Sequence, residues 1–305
     1  MKRRVPAPLV LALLAAGCAG LIALVAYLRS HGRSLNDWLA RLPPEEGVVV
    51  YADLNSLRRA GVLEWFAFSR LDEEPEYRAF AESSGFDPRQ DLDAVLVAFQ
   101  PGGNFFLLRG RFDWPTLNRF VASQGGNCHN TFCRVTGSRP ERRISYFPLR
   151  RDVMALAVSQ DSWAAARLHN RWRKVADEEI PPAPVWAMLP GKTLASAQTL
   201  PTGTHLFARA LADAERLVFY AVPAGDHLDL HMQVTCRSLG QAAGLLAQLQ
   251  GLTEALREML AREHRQPNPR DLSGVLTAGA FEQQGPRVHG RWPLGRPFLE
   301  AMTSP

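Results

Sequence analysis

The alternation of apolar and polar positions divides the chain into one long uncharged run and a series of short patterned segments behind it. From Val5 to Leu28 no charge interrupts the sequence, and Lys2, Arg3 and Arg4 stand directly before it. A helix across a bilayer needs about 20 apolar residues, so the run predicts a membrane anchor over residues 9–28. The basic tip predicts its orientation: Lys2, Arg3 and Arg4 precede the span, only Arg29 and Arg33 follow closely, and positive flanks stay cytoplasmic. A lipoprotein reading competes at Leu14-Ala15-Ala16-Gly17-Cys18, with Cys18 as the lipidated residue. Ala15 stands where a larger aliphatic side chain is usual, and residues 21–28 stay apolar where a polar tether is expected.

Behind the anchor, alternation with period two predicts strands. They fall at 48–51, 94–99, 105–111, 132–135, 144–147 and 153–158, with Pro101-Gly102-Gly103-Asn104 as a hairpin turn. Helical pieces are expected over 56–68, 74–83 and 160–172. Another starts at Asp113, with Pro115 in its first turn and Leu117, Phe120 and Val121 on one face. An acidic, then proline-rich stretch over 177–184 reads as a linker. Beyond it the grammar repeats: strands at 217–222 and 228–235, then the capping box Ser238/Gln241 opening a long helix to about Arg262. Its expected buried stripe is Leu239, Ala242, Leu246, Leu249, Leu256 and Leu260. A hairpin over 275–281 and 287–292 and a short helix over 297–302 close the chain.

These elements predict an α+β protein: an N-terminal transmembrane helix plus two related lobes of antiparallel sheet with helices packed on one face. The expected units are 1–33 (cytoplasmic tip and anchor), 34–176 (first lobe), 177–185 (linker) and 186–305 (second lobe, a diverged repeat of the first).

Leu42-Pro43-Pro44 leading into Val49-Val50-Tyr51-Ala52-Asp53-Leu54, with Gly85-Phe86-Asp87-Pro88-Arg89-Gln90-Asp91-Leu92-Asp93 before a strand, resembles uncharacterised single-pass bacterial envelope proteins. The resemblance implies a signal anchor, tandem α+β lobes and an envelope location. It implies no chemistry.

Charge changes the picture in one respect. Of 35 Lys+Arg against 30 Asp+Glu, five basic residues and no acid lie before residue 34. Residues 34–305 therefore carry 30 of each, and the basic balance belongs to the anchor rather than to a nucleic-acid footprint. Cys128 and Cys133, on either side of the turn-forming Asn130, suit a local disulfide in an oxidising compartment; free thiols, or a metal held with His129, are the rival readings. Cys236 is expected to be a buried thiol.

Candidate chemistry is sparse. His227, Asp229, His231 and Gln233 alternate along a strand and so share a face. Imidazole and carboxylate can ligate a divalent metal, but a wetted strand face accounts for the same pattern, and no metal or cofactor is expected. Gly191-Lys192-Thr193 lacks the earlier glycine of a phosphate loop, Trp186 standing in its place. Arg139, Arg142, Arg143, Arg150 and Arg151 flank one strand, where they suit an anionic headgroup or wall polymer, or simply protect an edge. Trp38 is expected near the membrane interface, and Trp65, Trp114, Trp163, Trp172, Trp186 and Trp292 in the core. The reading that follows is a single-pass protein of the bacterial inner membrane with a periplasmic, non-catalytic domain. Its partner would be another envelope protein. The alternative is a carrier or sensor of an apolar ligand such as a lipid.

Overall fold

The computed structural model describes residues 35–63, 81–137, 142–175, 180–195 and 205–303. The expected anchor over 9–28, Trp65 and Arg139 lie outside the described residues, as do parts of the expected helices over 56–68 and 74–83 and of the linker. Among the described residues no helix is long and apolar enough to cross a membrane.

The period-two segments form a mixed α+β architecture around one large antiparallel sheet. In chain order the elements are α1 (Leu35–Arg41), β1 (Val48–Ala52), α2 (Leu54–Arg59), α3 (Pro88–Asp91), β2 (Leu92–Gln100), β3 (Gly103–Gly110), α4 (Trp114–Ser123), β4 (Asn127–His129), β5 (Phe132–Thr136), β6 (Arg143–Arg150), β7 (Val153–Ser159) and a 3-10 helix (Ala164–His169). The second half continues with β8 (Val185–Leu189), α5 (Gly191–Ala195), α6 (His205–Leu211), β9 (Arg216–Ala224), β10 (His227–Thr235), α7 (Leu239–Arg262), α8 (Leu272–Thr277), β11 (Ala280–Gln284), β12 (Arg287–Gly295) and α9 (Arg296–Thr303). Among the described residues the sheet has 12 strands in the order β11-β12-β10-β9-β8-β1-β2-β3-β7-β6-β5-β4.

That order has a centre. β1 and β8 pair antiparallel, with Val50 opposite Ala187 and Tyr51 opposite Trp186. Outward from this seam, β1-β2-β3-β7-β6 and β8-β9-β10-β12-β11 follow the same path, and in each half a helix (α4 or α7) leaves the third strand. The β4–β5 hairpin extends only the first half.

Register assigns every strand residue to one of two faces, because directly opposed residues point the same way. In the second half Leu228, Leu230, Met232 and Val234 of β10 turn toward helices. They meet Leu217 of β9, Val288 of β12 and Ala242, Leu245 and Leu249 of α7 in one core. In the first half both faces are covered. Leu117 and Val121 of α4 pack on Cys133, Tyr146 and Met154. On the opposite face, Trp38, Leu39 and Leu168 from α1 and the 3-10 helix cover Leu96, Phe105, Leu107 and Ala155. The expectation of helices on one face is thus corrected for the first lobe. Its β2, β3 and β7 are apolar on both faces (Leu96 and Val97, Leu107 and Leu108, Ala155 and Leu156), and each face needs its own cover.

Local chemistry explains the other departures. The expected strand over 275–281 is split: 275–277 end helix α8, where Asp271 accepts from the Ser273 amide at 2.7 Å and the Thr277 hydroxyl donates back to the Ser273 carbonyl at 2.6 Å, whereas Ala280 and Phe281 begin β11, which forms the expected hairpin with β12. The expected helix over 160–172 is only the short 3-10 helix. Asp161 takes the Trp163 amide at 2.9 Å, and the Trp172 amide leaves the segment for the Ala40 carbonyl. Strand β8, set behind a proline-rich stretch, was not expected. Trp38 is buried at 2% exposure rather than poised at an interface, whereas Trp163 and Trp172 are 53% and 42% exposed rather than in the core. Cys128 and Cys133 face each other across the β4–β5 ladder and are joined as a disulfide, and Cys236 is a buried free thiol.

Candidate functional site

The face opposite α7 carries the sheet's polar surface. On it β10 presents His227, Asp229, His231, Gln233 and Thr235, as the alternation predicted, and the register brings partners that the sequence does not show. Tyr220 of β9 and Arg291 of β12 lie directly opposite His231, one on each side. Val218 and His289 flank Gln233, and Arg216 and Arg287 flank Thr235. Glu282 of β11 lies beyond His289.

The centre of the face is a row of planar side chains standing on the strands. Tyr51 stacks on Trp186 with ring centroids 5.4 Å apart, and Tyr220 stacks on His231 at 4.8 Å with planes 5° apart. Side chains stand nearly perpendicular to a sheet, so the Tyr220–His231 pair shows solvent its polar edges rather than its ring faces. Arg291 ends the row. Its Nη2 donates to Asp229 Oδ2 at 2.7 Å. Asp229 is buried, and its Oδ1 lies 3.5 Å from His227 Nε2 without a hydrogen bond. Burial of the His231 ring holds its pKa below the ordinary value; Asp229 pulls it upward and Arg291 pushes it down. Burial likewise raises Tyr51, and pushes Tyr146 up to about 12.

The metal candidates are separated by these contacts. Asp229 Oδ2 is engaged by the Arg291 guanidinium, whose charge repels a cation at the neighbouring oxygen, and His231 is turned against Tyr220. Among the described residues no group of three or more His, Cys, Asp or Glu side chains is placed to share a metal.

Two clefts open elsewhere among the described residues. One, of ≈ 330 Å³, opens at the seam between the halves, with Leu42, Val49, Met188 and Leu189 as apolar walls. Its rim holds the ion pairs Glu45–Arg167, at 2.5 Å, and Glu46–Lys192. Gln100 Nε2 donates to the carbonyls of Pro43 and Glu45, and its buried Oε1 has no hydrogen-bond partner. The other, of ≈ 820 Å³, is lined by Phe86, Phe112, Arg111, Arg150 and Arg151. Two of its arginines are spent on Asp91 and Asp152, at 3.1 and 3.7 Å. The arginines around β6 therefore do not act as one patch: Arg143 and Arg150 are its two ends.

No family model and no curated protein matches the chain. Among solved structures it is similar to crystal form I of TP0453, with 14% identity, a TM-score of 0.53 and coverage of 88% of this chain and 97% of that one. Crystal form IV of TP0453 is similar at 10% identity and a TM-score of 0.52, over 87% and 96% of the two chains. At such identities the likeness is one of fold alone.

Sequence reasoning reached His227, Asp229, His231 and Gln233 through strand period. It missed Tyr220, His289 and Arg291, whose place beside them depends on register between strands far apart in the chain.

Proposed function

We propose that this is a membrane-tethered, extracytoplasmic, non-catalytic interaction protein of the bacterial envelope, which docks a partner protein on the polar face of its second lobe. The carrying observation is the breadth of that face. Across β9, β10 and β12 it offers the Tyr220 hydroxyl, the imidazoles of His231 and His289, the Gln233 amide and the Arg287 guanidinium, and none of these makes a side-chain hydrogen bond among the described residues. Flat, hydrogen-bonding surfaces of this kind suit a macromolecule, whereas small ligands are held in concave pockets. The common strand order of the two halves supports a duplication as the origin of the two lobes.

The uncharged run over 9–28 supports the tether, and the basic tip before it supports a periplasmic domain. A reporter fused behind residue 305 tests the topology: one active only in the cytoplasm should be silent. A photo-crosslinking side chain at Gln233 should capture one envelope protein in living cells. The same group at Glu258, exposed on α7, should not. Equal capture from both faces, or none, rejects the reading.

A second reading, carriage of an apolar ligand such as a lipid, is favoured by the apolar walls of the seam cleft. Mass spectrometry of gently purified protein should then find a stoichiometric lipid, and Met188→Arg should remove it.

A further inference from the structure

At the far edge of the first half a second set of unspent groups has assembled. Phe132 and Arg134 of β5 point to the same face of the sheet. Trp163, just before the 3-10 helix, lies over both: its ring is 5.1 Å from Phe132 and nearly parallel to it, and the Arg134 guanidinium carbon is 4.2 Å from the ring. A ring clasped on both sides would not keep 53% of its surface. The outer indole face is therefore open. Hydrogen bonds hold it there: the Trp163 amide donates to Asp161 Oδ1, and the Asp161 amide to Ser159 Oγ.

Arg143 of β6 joins this group. It is opposite Thr136, and Arg134 is opposite Ser145, so the two arginines are diagonal neighbours on one face, roughly 7–8 Å apart at the backbone. With Ser162, Thr136 and the Gly125-Gly126-Asn127 turn they line a small cleft of ≈ 190 Å³. Gly126 lets the turn lie close against α4 and β5, because a Cβ there would meet the Val121 side chain at 2.5 Å and the Arg134 carbonyl at 2.6 Å. The Cys128–Cys133 bridge fixes the hairpin that forms the wall. Neither Arg134 nor Arg143 takes part in an ion pair among the described residues.

We infer that Trp163, Arg134 and Arg143 form a binding site for an acidic saccharide. The open indole face takes the apolar face of a sugar ring, and the paired guanidinium groups take its carboxylate or sulfate through charge-assisted hydrogen bonds. A nucleotide also combines a ring with an anion. It is disfavoured because residues 34–305 carry no net charge with which to track a phosphate backbone, and because the site is built on a disulfide, a feature of oxidising compartments. The site lies in the first half, away from the polar face of the second, and stands or falls independently of it.

The test uses the full chain in an uncharged polyoxyethylene detergent, titrated calorimetrically with oligogalacturonate, hyaluronate and heparin fragments. Maltohexaose, single-stranded oligothymidylate and anionic phospholipid vesicles serve as comparisons. At least one acidic saccharide should bind at least tenfold more tightly than maltohexaose, and the affinity should fall as salt rises. Arg134→Gln, Arg143→Gln and Trp163→Ala should each weaken it about tenfold with thermal stability retained, and Trp163→Phe should restore most of it. Binding by none of the three acidic saccharides overturns the proposal. So does binding that these substitutions leave unchanged, or tighter binding of the oligothymidylate or the vesicles.

Discussion

At the scale of single residues, hydrogen-bonded caps and stacked rings set the local behaviour, and both are open to measurement. Ser238 accepts the Gln241 amide at 3.1 Å, and Gln241 Oε1 takes the Arg237 amide in return at 2.8 Å. Removing such a cap costs about 1 kcal/mol, so Ser238→Ala should lower the unfolding free energy by that much, seen as a lower denaturant midpoint at an unchanged slope. His231 makes a prediction about pH. Its neighbours are Tyr220 from β9, Arg291 from β12, and Asp229 and Gln233 on its own strand. Its pKa is held below the ordinary value, chiefly by burial, so the unfolded chain takes up the proton first. Stability is then unaffected above about pH 6.5 and declines as pH falls below it. The difference in stability between the native chain and His231→Gln should shift in that direction between about pH 6.5 and 5. A pH-independent difference would show that the stacked ring titrates normally.

Elements were legible where one local signal governed them and illegible where two competed. The strand alternation from 227 to 235 was read correctly because nine residues keep strict period two. Within 275–281 the end that pairs with β12 is strand as expected, but Val275 and Leu276, apolar and strand-like in pattern, belong to a helix. The sequence pattern did not weigh the Asp271 cap that commits them to helix. The long helix α7 was legible in position and in most of its buried face: Ala242, Leu249 and Leu260 are buried and Leu246 packs against the core, as expected. Leu245 and Thr253 are buried as well, and Leu239 at the first turn departs from the expected stripe at 62% exposure. The first turn of a helix can run past the edge of the surface that the rest of it covers, which periodicity does not show. The two ends of the stripe predict a contrast. Leu249→Ala empties a fully buried site and should cost about 2–5 kcal/mol, whereas Leu239→Ala should stay within about 0.5 kcal/mol. Comparable losses at the two positions in chemical denaturation would restore the expected stripe.

For the whole molecule, the decisive contact is the one that no local pattern announces: β8 against β1. Their pairing links two halves of equal strand order into one sheet, and the core of the second half reaches across the seam to Leu57 and Val62, which lie in the first half of the sequence. Two consequences follow from a shared ladder and a shared core. The halves should lose structure together, and a defect at the seam should weaken both. Trp186 is the test position. It is 1% exposed, stacks on Tyr51 across the seam and faces Tyr220 on its other side. Trp186→Ala should cost about 3–5 kcal/mol. Hydrogen exchange can follow each half separately, with the amides of β3 and β7 reporting one and those of β10 and β12 the other. If the sheet is one cooperative unit, the substitution should accelerate exchange in both sets by a similar factor. Acceleration confined to β10 and β12 would mean that the halves behave as independent lobes despite the shared strands, and that the polar face of the second could move without disturbing the first.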